Sequence, residues 1–176
     1  MKTLVIGLGN PILTDDGVGV KVAYAVQKSL EVTGTSQKNG NGESYCVINA
    51  SHQIINVTEA SVGGLRLMEM MIGYDQVIII DALTTVDAPP GTIHHLALSE
   101  LEAISPTQHS ASAHDASLVT ALDSGRRIGL QLPNDISIYA VSVENIIDFG
   151  DTPTPAVAQA IPLVTAAVLE ELNQMA

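Results

Sequence analysis

Residues 75–83, DQVIIIDAL, contain four consecutive β-branched residues, Val77 to Ile80, followed directly by Asp81. An apolar run without polar alternation is typical of a central parallel strand that is buried on both faces. Outward from this stretch, apolar runs of strand length alternate with longer segments of helical periodicity. The alternation predicts an α/β fold, a three-layer sandwich in which a mostly parallel, twisted sheet of about five strands is flanked by helices.

The other predicted elements follow from the same periodicities and from the turn residues between them. Further strands are expected at 4–6, 45–49, 92–97 and 136–141, with 53–57 either extending the second of these or pairing with it as a hairpin. Helices are expected at 18–30, at 63–71, at 112–122 with Ser124-Gly125 closing it, and from Pro155 onward with a kink or restart at Pro162. The polar, glycine-rich stretch 34–44, GTSQKNGNGES, is predicted to be a loop.

Composition and charge predict one globular domain over residues 1–176 and exclude several classes of protein. The chain is 46% hydrophobic and 15% charged, so it can bury a core, which must be aliphatic because aromatic residues make up only 3%. Its formal net charge of −12 makes nucleic acid a poor partner and favours a basic or metal-bearing one. No stretch approaches the roughly 18 apolar residues of a membrane span, so we expect a soluble, cytoplasmic protein without a membrane partner. The single cysteine, Cys46, excludes an internal disulfide and a C-x-x-C pair and is expected to pack as a small hydrophobe.

Two acidic positions are candidates for a functional site. Ligands of such sheets bind outside the carboxyl ends of the strands, which places the loop after the first strand and Asp81 in one crevice. A carboxylate buried alone at that point costs several kcal/mol, so Asp81 must be hydrogen-bonded, paired or metal-bound, and its position at the strand end favours function. In the pair Asp15-Asp16, one acid can cap the following helix, or one can face the crevice as a metal ligand or acid–base group. The residue types alone leave these two interpretations open.

The histidines differ in how well they suit a metal site. His114 stands at the predicted start of a helix, where the helix dipole disfavours imidazolium and leaves the neutral form that metals require. His94 and His95 are adjacent in a predicted strand and therefore point to opposite faces, so they do not easily serve one site. His109 lies in a polar stretch, and His52 precedes a strand and is expected to be incidental.

Common catalytic and nucleotide-binding patterns are absent from the sequence. Gly7-Leu8-Gly9-Asn10 follows a strand, but Ile12 stands where a dinucleotide-binding fingerprint needs its third glycine. The chain has no Walker A motif, no G-x-S-x-G elbow and no H-E-x-x-H helix. The glycines are therefore interpreted as a tight turn, with close approach of a ligand or polypeptide as the alternative.

Four segments, in order and over nearly the whole chain, together resemble the maturation endopeptidases of nickel–iron hydrogenases. The segments are 7–20, GLGNPILTDDGVGV; 62–83, VGGLRLMEMMIGYDQVIIIDAL; 110–122, SASAHDASLVTAL; and 143–157, VENIIDFGDTPTPAV. Compared with compact members of that family, residues 34–57 look like an insertion.

The resemblance implies both an activity and a set of site residues. Members make a single cut near the C-terminus of the hydrogenase large-subunit precursor after nickel insertion, so the precursor is the expected partner. Three residues of the family contact the metal and act in catalysis: an acid in the first loop, an aspartate ending the central strand and a histidine opening a later helix. The resemblance places them at Asp16, Asp81 and His114. His109 competes with His114 for the third position. The implied ion is Ni²⁺ presented by the substrate, for which Cd²⁺ or Zn²⁺ can substitute.

Two other functions compete with this interpretation. The protein could be a non-catalytic, metal-checking chaperone of the large subunit, with another enzyme making the cut. It could instead bind a small nucleotide through the Gly7–Asn10 loop, although the missing third glycine counts against this. If it is the protease, either the metal or a carboxylate activates the water, and Gly9-Asn10 and Gly63-Gly64 are expected to supply backbone contacts to the tail being cut.

Overall fold

The fold is seen in a computed structural model that describes residues 1–33, 35–38, 44–48, 53–98, 100 and 115–174. Within this part of the chain, one sheet contains seven strands. Their bounds are β1 Lys2–Leu8, β2 Thr35–Lys38, β3 Ser44–Ile48, β4 Ile54–Ala60, β5 Gln76–Leu83, β6 Ile93–Ala97 and β7 Asp135–Ser142. The spatial order is β2-β3-β4-β1-β5-β7-β6, so the first strand in sequence lies near the middle of the sheet.

The parallel centre of the sheet confirms the predicted α/β class. β4, β1, β5 and β7 run parallel to one another, whereas β6 is antiparallel to β7, and the hairpin of β2 and β3 extends the other edge. The strands predicted at 4–6, 45–49, 77–80, 92–97 and 136–141 correspond to β1, β3, β5, β6 and β7, and 53–57 overlaps β4. All of Gln76 to Ile80 is buried, as the apolar run at 77–80 predicted for a central strand.

Helices cover both faces of the sheet and complete the three layers. The helices are α1 Val18–Thr33, α2 Gly64–Met70, α3 Asp115–Arg127 and α4 Pro155–Gln174. One core cluster joins α1 and α4 to the side chains of alternate strand residues such as Val5 and Ile78. The second core cluster joins α2 and α3 to the intervening strand residues, whose side chains point to the opposite face, such as Ile6 and Ile79. The two-residue period of the strands therefore assigns each side chain to one core or the other.

The structure corrects three local predictions. Residues 35–38, predicted as part of a loop, form β2, because an edge strand of polar composition offers no apolar run for periodicity to detect. Ser124-Gly125 does not close the third helix, which continues to Arg127. A Cβ on Gly125 would lie 2.8 Å from Leu132 Cδ1 and 3.0 Å from Met68 Sδ, so the glycine permits close packing of α3 on α2 rather than ending the helix. The last helix continues through Pro162 without restarting.

The described residues of the expected insertion lie in strands, apart from Gln53. β3 and β4 form the hairpin that was one of the two alternatives for 45–57. Residues 54–57 belong to β4, which pairs with β1 along its length. The insertion at 34–57 relative to compact family members stays a prediction. At this edge of the sheet the strands are β3 and β2.

Among the described helices, only α4 is long and apolar enough to cross a membrane by length and composition. Its buried side chains pack with α1 against the sheet, and they include Val157, Val164, Val168 and Leu172. The helix therefore serves this fold as a core element.

Candidate functional site

A cavity of about 240 Å³ opens where β1, β4 and β5 reach their carboxyl ends. Two carboxylates line it, Asp16 from the loop after β1 and Asp81 from β5. The rest of the lining comes from the ends of β1 and β4 and the residues after them: Leu8, Gly9, Asn10, Ala60, Ser61 and Val62. The structure thus brings together the two acids that the sequence predicted for one crevice.

The loop after β1 holds Asp16 in a fixed orientation. The backbone N–H of Asn10 donates to Asp16 Oδ2 at 2.7 Å, and the N–H of Asp16 donates to the Leu13 carbonyl at 2.8 Å. Gly9 has φ +122°, and a Cβ there would lie 1.8 Å from the Asp16 carbonyl oxygen. Only glycine permits this turn, so Gly9 serves the placement of Asp16.

Asp81 lies where β5 separates from β1. Pairing of β1 with β5 ends at Gly7 and Ile80, whereas pairing of β5 with β7 continues to Leu83. Asp81 is therefore not the last strand residue, as the sequence suggested, but the first residue of β5 beyond its ladder with β1. Its Oδ1 accepts a hydrogen bond from the Ala82 N–H at 2.8 Å. By strand alternation, Asp81 lies on the same face as Ile79, which packs in the α2–α3 core.

The two adjacent aspartates have different roles. Asp15 is fully buried, and its carboxylate accepts hydrogen bonds from the loop between β7 and α4. The donors are Thr154 N–H at 2.7 Å, Thr154 Oγ1 at 3.1 Å and the N–H groups of Asn145 and Glu144 at 3.1 and 3.4 Å. Asp15 is thus the structural acid and Asp16 the one that faces the cavity. The sequence allowed one of these acids to cap the following helix. The carboxylate of Asp15 instead accepts hydrogen bonds from the distant loop.

The third predicted ligand, His114, lies outside the described residues, as do His109 and His52. The neighbouring α3 is described from Asp115 onward. Its C-terminal end lies near the start of β5, where Gly73 N–H donates to the Gln131 carbonyl at 2.9 Å. Thirteen helical residues span about 20 Å, so α3 runs back towards the edge of the sheet that holds the cavity.

The two strand histidines do not line the cavity, and they point to opposite faces as predicted. His94 Nε2 lies 2.8 Å from Ser142 Oγ. The ring of His95 stacks on that of Tyr139, with centroids 4.4 Å apart, and its Nε2 lies 3.5 Å from Glu171 Oε2. Burial is the larger cause, and the hydrogen bond to Glu171 the next, of a pKa of Tyr139 that is raised well above its usual range. These contacts join β6, β7 and α4, so both histidines have structural roles.

A groove of about 690 Å³ adjoins the cavity and shares four of its lining residues, Gly9, Ala60, Ser61 and Val62. Farther along, Tyr24 from α1 donates to Glu59 Oε2 at 2.5 Å. This hydrogen bond, with burial and the carboxylate charge, raises the pKa of Tyr24 to about 12.

Arg66 and Glu69 of α2 also line the groove, and Arg66 Nη1 lies 3.3 Å from Glu69 Oε2. Sequence reasoning missed the groove and Ser61, because finding them requires knowing that β4 lies beside β1 in the sheet.

Asp16 and Asp81 are the two described members of the predicted metal-binding set. Among them, no group of three or more His, Cys, Asp or Glu side chains converges. Two carboxylates that share a cavity offer oxygen ligands to a divalent cation, and they leave coordination positions open. An imidazole and ligands from a bound substrate would be needed to complete the coordination.

Comparison with known proteins identifies the family. The model of the hydrogenase maturation protease family HycI matches residues 47–171. The hydrogenase 2 maturation protease of Escherichia coli strain K12 is 25% identical over 173 residues, covering 97% of this chain and 92% of that protein. The hydrogenase maturating endopeptidase HybD from E. coli has the same fold, with a TM-score of 0.73, 24% identity and coverage of 99% and 94%. HybD from Thermococcus kodakarensis follows with a TM-score of 0.65, 20% identity and coverage of 98% and 99%. The resemblance seen in the sequence is thereby confirmed: the chain belongs to the hydrogenase maturation protease family.

Proposed function

We propose that this protease removes the C-terminal extension of a nickel–iron hydrogenase large-subunit precursor after nickel has been inserted. The observation that carries the proposal is the convergence of Asp16 and Asp81 on one cavity. They come from separate strand–loop units, so their convergence is a property of the fold. The family supplies the reaction class, and the cavity supplies polar groups at the edge of the sheet where such folds bind ligands.

In this proposal, Asp16, Asp81 and His114 bind the nickel ion that the precursor already holds through its cysteines. Two carboxylates and one neutral imidazole suit Ni²⁺, and three ligands leave positions for the substrate's own ligands. The ion therefore belongs to the substrate, and Cd²⁺ or Zn²⁺ would substitute for it. Specificity follows from this arrangement, because a precursor without nickel lacks the group that the three side chains bind.

The adjoining groove is proposed to hold the extended segment beside the scissile bond. Its walls combine apolar groups with hydrogen-bonding ones, including Ser61, Tyr24 and Glu59. Ser61 Oγ donates to the Gly9 carbonyl at 2.8 Å, which fixes the wall at the junction with the cavity. A peptide in the groove would thus lie next to the cavity that the two carboxylates line.

Hydrolysis then requires a water molecule activated within the cavity. The metal presented by the substrate would lower the pKa of that water, or a carboxylate would accept its proton. Both routes place Asp16 and Asp81 within reach of the reacting atoms. Replacing either acid with its amide therefore removes a ligand or base while preserving the size of the side chain.

The test uses purified protein and purified, nickel-loaded precursor, with mass spectrometry to measure loss of the extension. Asp16→Asn, Asp81→Asn and His114→Ala should each reduce the cleavage rate by at least a hundredfold. Asp123→Asn is the matched control, because Asp123 is an exposed aspartate on α3. Nickel-free precursor should remain uncut. Binding of the loaded precursor without any mass loss would support the chaperone function and refute the protease proposal.

A further inference from the structure

Two loops beside the cavity are joined by backbone hydrogen bonds and carry three exposed apolar side chains. Gly150 N–H donates to the Ile12 carbonyl at 3.0 Å, and Thr14 N–H donates back to the Gly150 carbonyl at 2.9 Å. The exposed fractions are 56% for Ile12, 81% for Ile147 and 83% for Phe149. These three side chains are called the apolar rim below.

Phe149 is among the most exposed of the large apolar side chains on the described surface. It is the only phenylalanine in a protein whose core is aliphatic, yet it lies on the surface. The loop that carries it is held firmly, because the buried carboxylate of Asp15 accepts hydrogen bonds from both Asn145 and Thr154. Thr14 Oγ1 adds a bond to the Asp148 carbonyl at 2.6 Å. Large apolar side chains on a rigid, exposed loop are typical of protein interaction sites.

The position of the apolar rim indicates what covers it. Ile12 lies in the same short loop as Asn10 and Asp16, which line the cavity, but no rim side chain lines the cavity or the groove. A folded protein that inserts a peptide bond at the cavity must also contact the surface around the opening. We propose that the apolar rim is the docking surface for the folded body of the precursor, an inference that rests on the proposed function.

The charges around the apolar rim define the partner's chemistry. Glu144, Asp148 and Asp151 are exposed on the same loop, and the chain carries a formal net charge of −12. The complementary surface therefore has an apolar depression bordered by lysine or arginine. Apolar contact provides most of the affinity, and the charges accelerate association and set orientation.

The test measures steady-state cleavage of nickel-loaded precursor by Phe149→Ala and Ile147→Ser variants. Each should raise KM about tenfold and leave thermal unfolding unchanged, because both side chains are exposed. Ile128→Ala is the matched control: Ile128 follows directly after α3, is 76% exposed and does not line the cavity. An unchanged KM in both rim variants, with wild-type cleavage intact, would overturn the docking assignment.

Direct binding separates failure of this inference from failure of the proposed function. If the wild-type protein does not cut the precursor, the proposed function fails, and biolayer interferometry still reports whether Phe149→Ala weakens precursor binding about tenfold. Light scattering tests the other occupant, a second copy of this chain. A wild-type dimer that becomes monomeric in Phe149→Ala, with precursor affinity retained, would refute docking of the precursor on the apolar rim.

Discussion

Substitutions of the adjacent aspartates should have different effects: replacing Asp15 should lower the stability of the fold, and replacing Asp16 should abolish cleavage. Asp15→Ala removes a fully buried carboxylate that accepts hydrogen bonds at 2.7, 3.1 and 3.1 Å from Thr154 and Asn145. Hydrogen bonds to a charged acceptor contribute about 1.5–3 kcal/mol each, and those sharing one acceptor are not additive. We therefore expect the free energy of unfolding to fall by about 3–5 kcal/mol, a large part of a typical total of about 5–15 kcal/mol.

Urea denaturation followed by circular dichroism measures this loss. With a slope of about 2 kcal/mol per molar urea, the midpoint should fall by about 2 M. Asp16→Asn is the internal comparison, because Asp16 is only half-buried and its side chain accepts the Asn10 N–H. Its unfolding free energy should change by less than about 1.5 kcal/mol while cleavage is lost. A loss below about 1 kcal/mol for Asp15→Ala would refute the structural role assigned to Asp15.

Three further predictions test the surroundings of the site. Gly9→Ala should abolish cleavage of loaded precursor, because its Cβ would lie 1.8 Å from the Asp16 carbonyl oxygen; wild-type kcat would contradict the tight turn. Glu171→Ala should lower the unfolding free energy by about 2–4 kcal/mol in urea, since Ser137 and Tyr139 lose the acceptor that they share; an unchanged midpoint would contradict this. The folded-state pKa of Tyr24 is raised from 10.0 to about 12, so the stability from its hydroxyl is present below pH 10 and lost as pH rises through 12. The stability difference between wild type and Tyr24→Phe should shrink over that interval in urea titrations, and a constant difference would count against the Tyr24–Glu59 hydrogen bond.

The central sheet could be predicted from the sequence because three of its strands, β1, β5 and β7, are buried on both faces over most of their length. The run Val77–Ile80 has no alternative to burial, and the order of strands and helices then follows from chain connectivity. Strand β2 was missed, because its stability comes from pairing with β3 and not from its own composition. The end of helix α3 was predicted too early. The sequence does not distinguish a glycine that permits close packing inside a helix, such as Gly125, from a glycine that ends one.

The candidate site was predicted less completely than the fold. Asp81 could be located because a carboxylate after a buried strand needs a partner, and strand ends meet at one edge. The choice between Asp15 and Asp16 depends on a contact with Asn145 and Thr154, which no local pattern in the sequence encodes. The groove and the apolar rim likewise arise from segments distant along the chain. Asp16, Asp81 and His114 as a metal-binding set stay a prediction.

The hydrogen bonds from the 144–154 loop to Asp15 also have a consequence for synthesis. Asn145, which donates to Asp15, lies 130 positions later in the chain, and a single peptide bond links Asp15 to Asp16. A nascent chain that still lacks this loop has both acids of the cavity, but the carboxylate of Asp15, next to Asp16, lacks the hydrogen-bond donors Asn145 and Thr154. We therefore expect competence for proteolysis to be reached only after residues 144–154 have been synthesised.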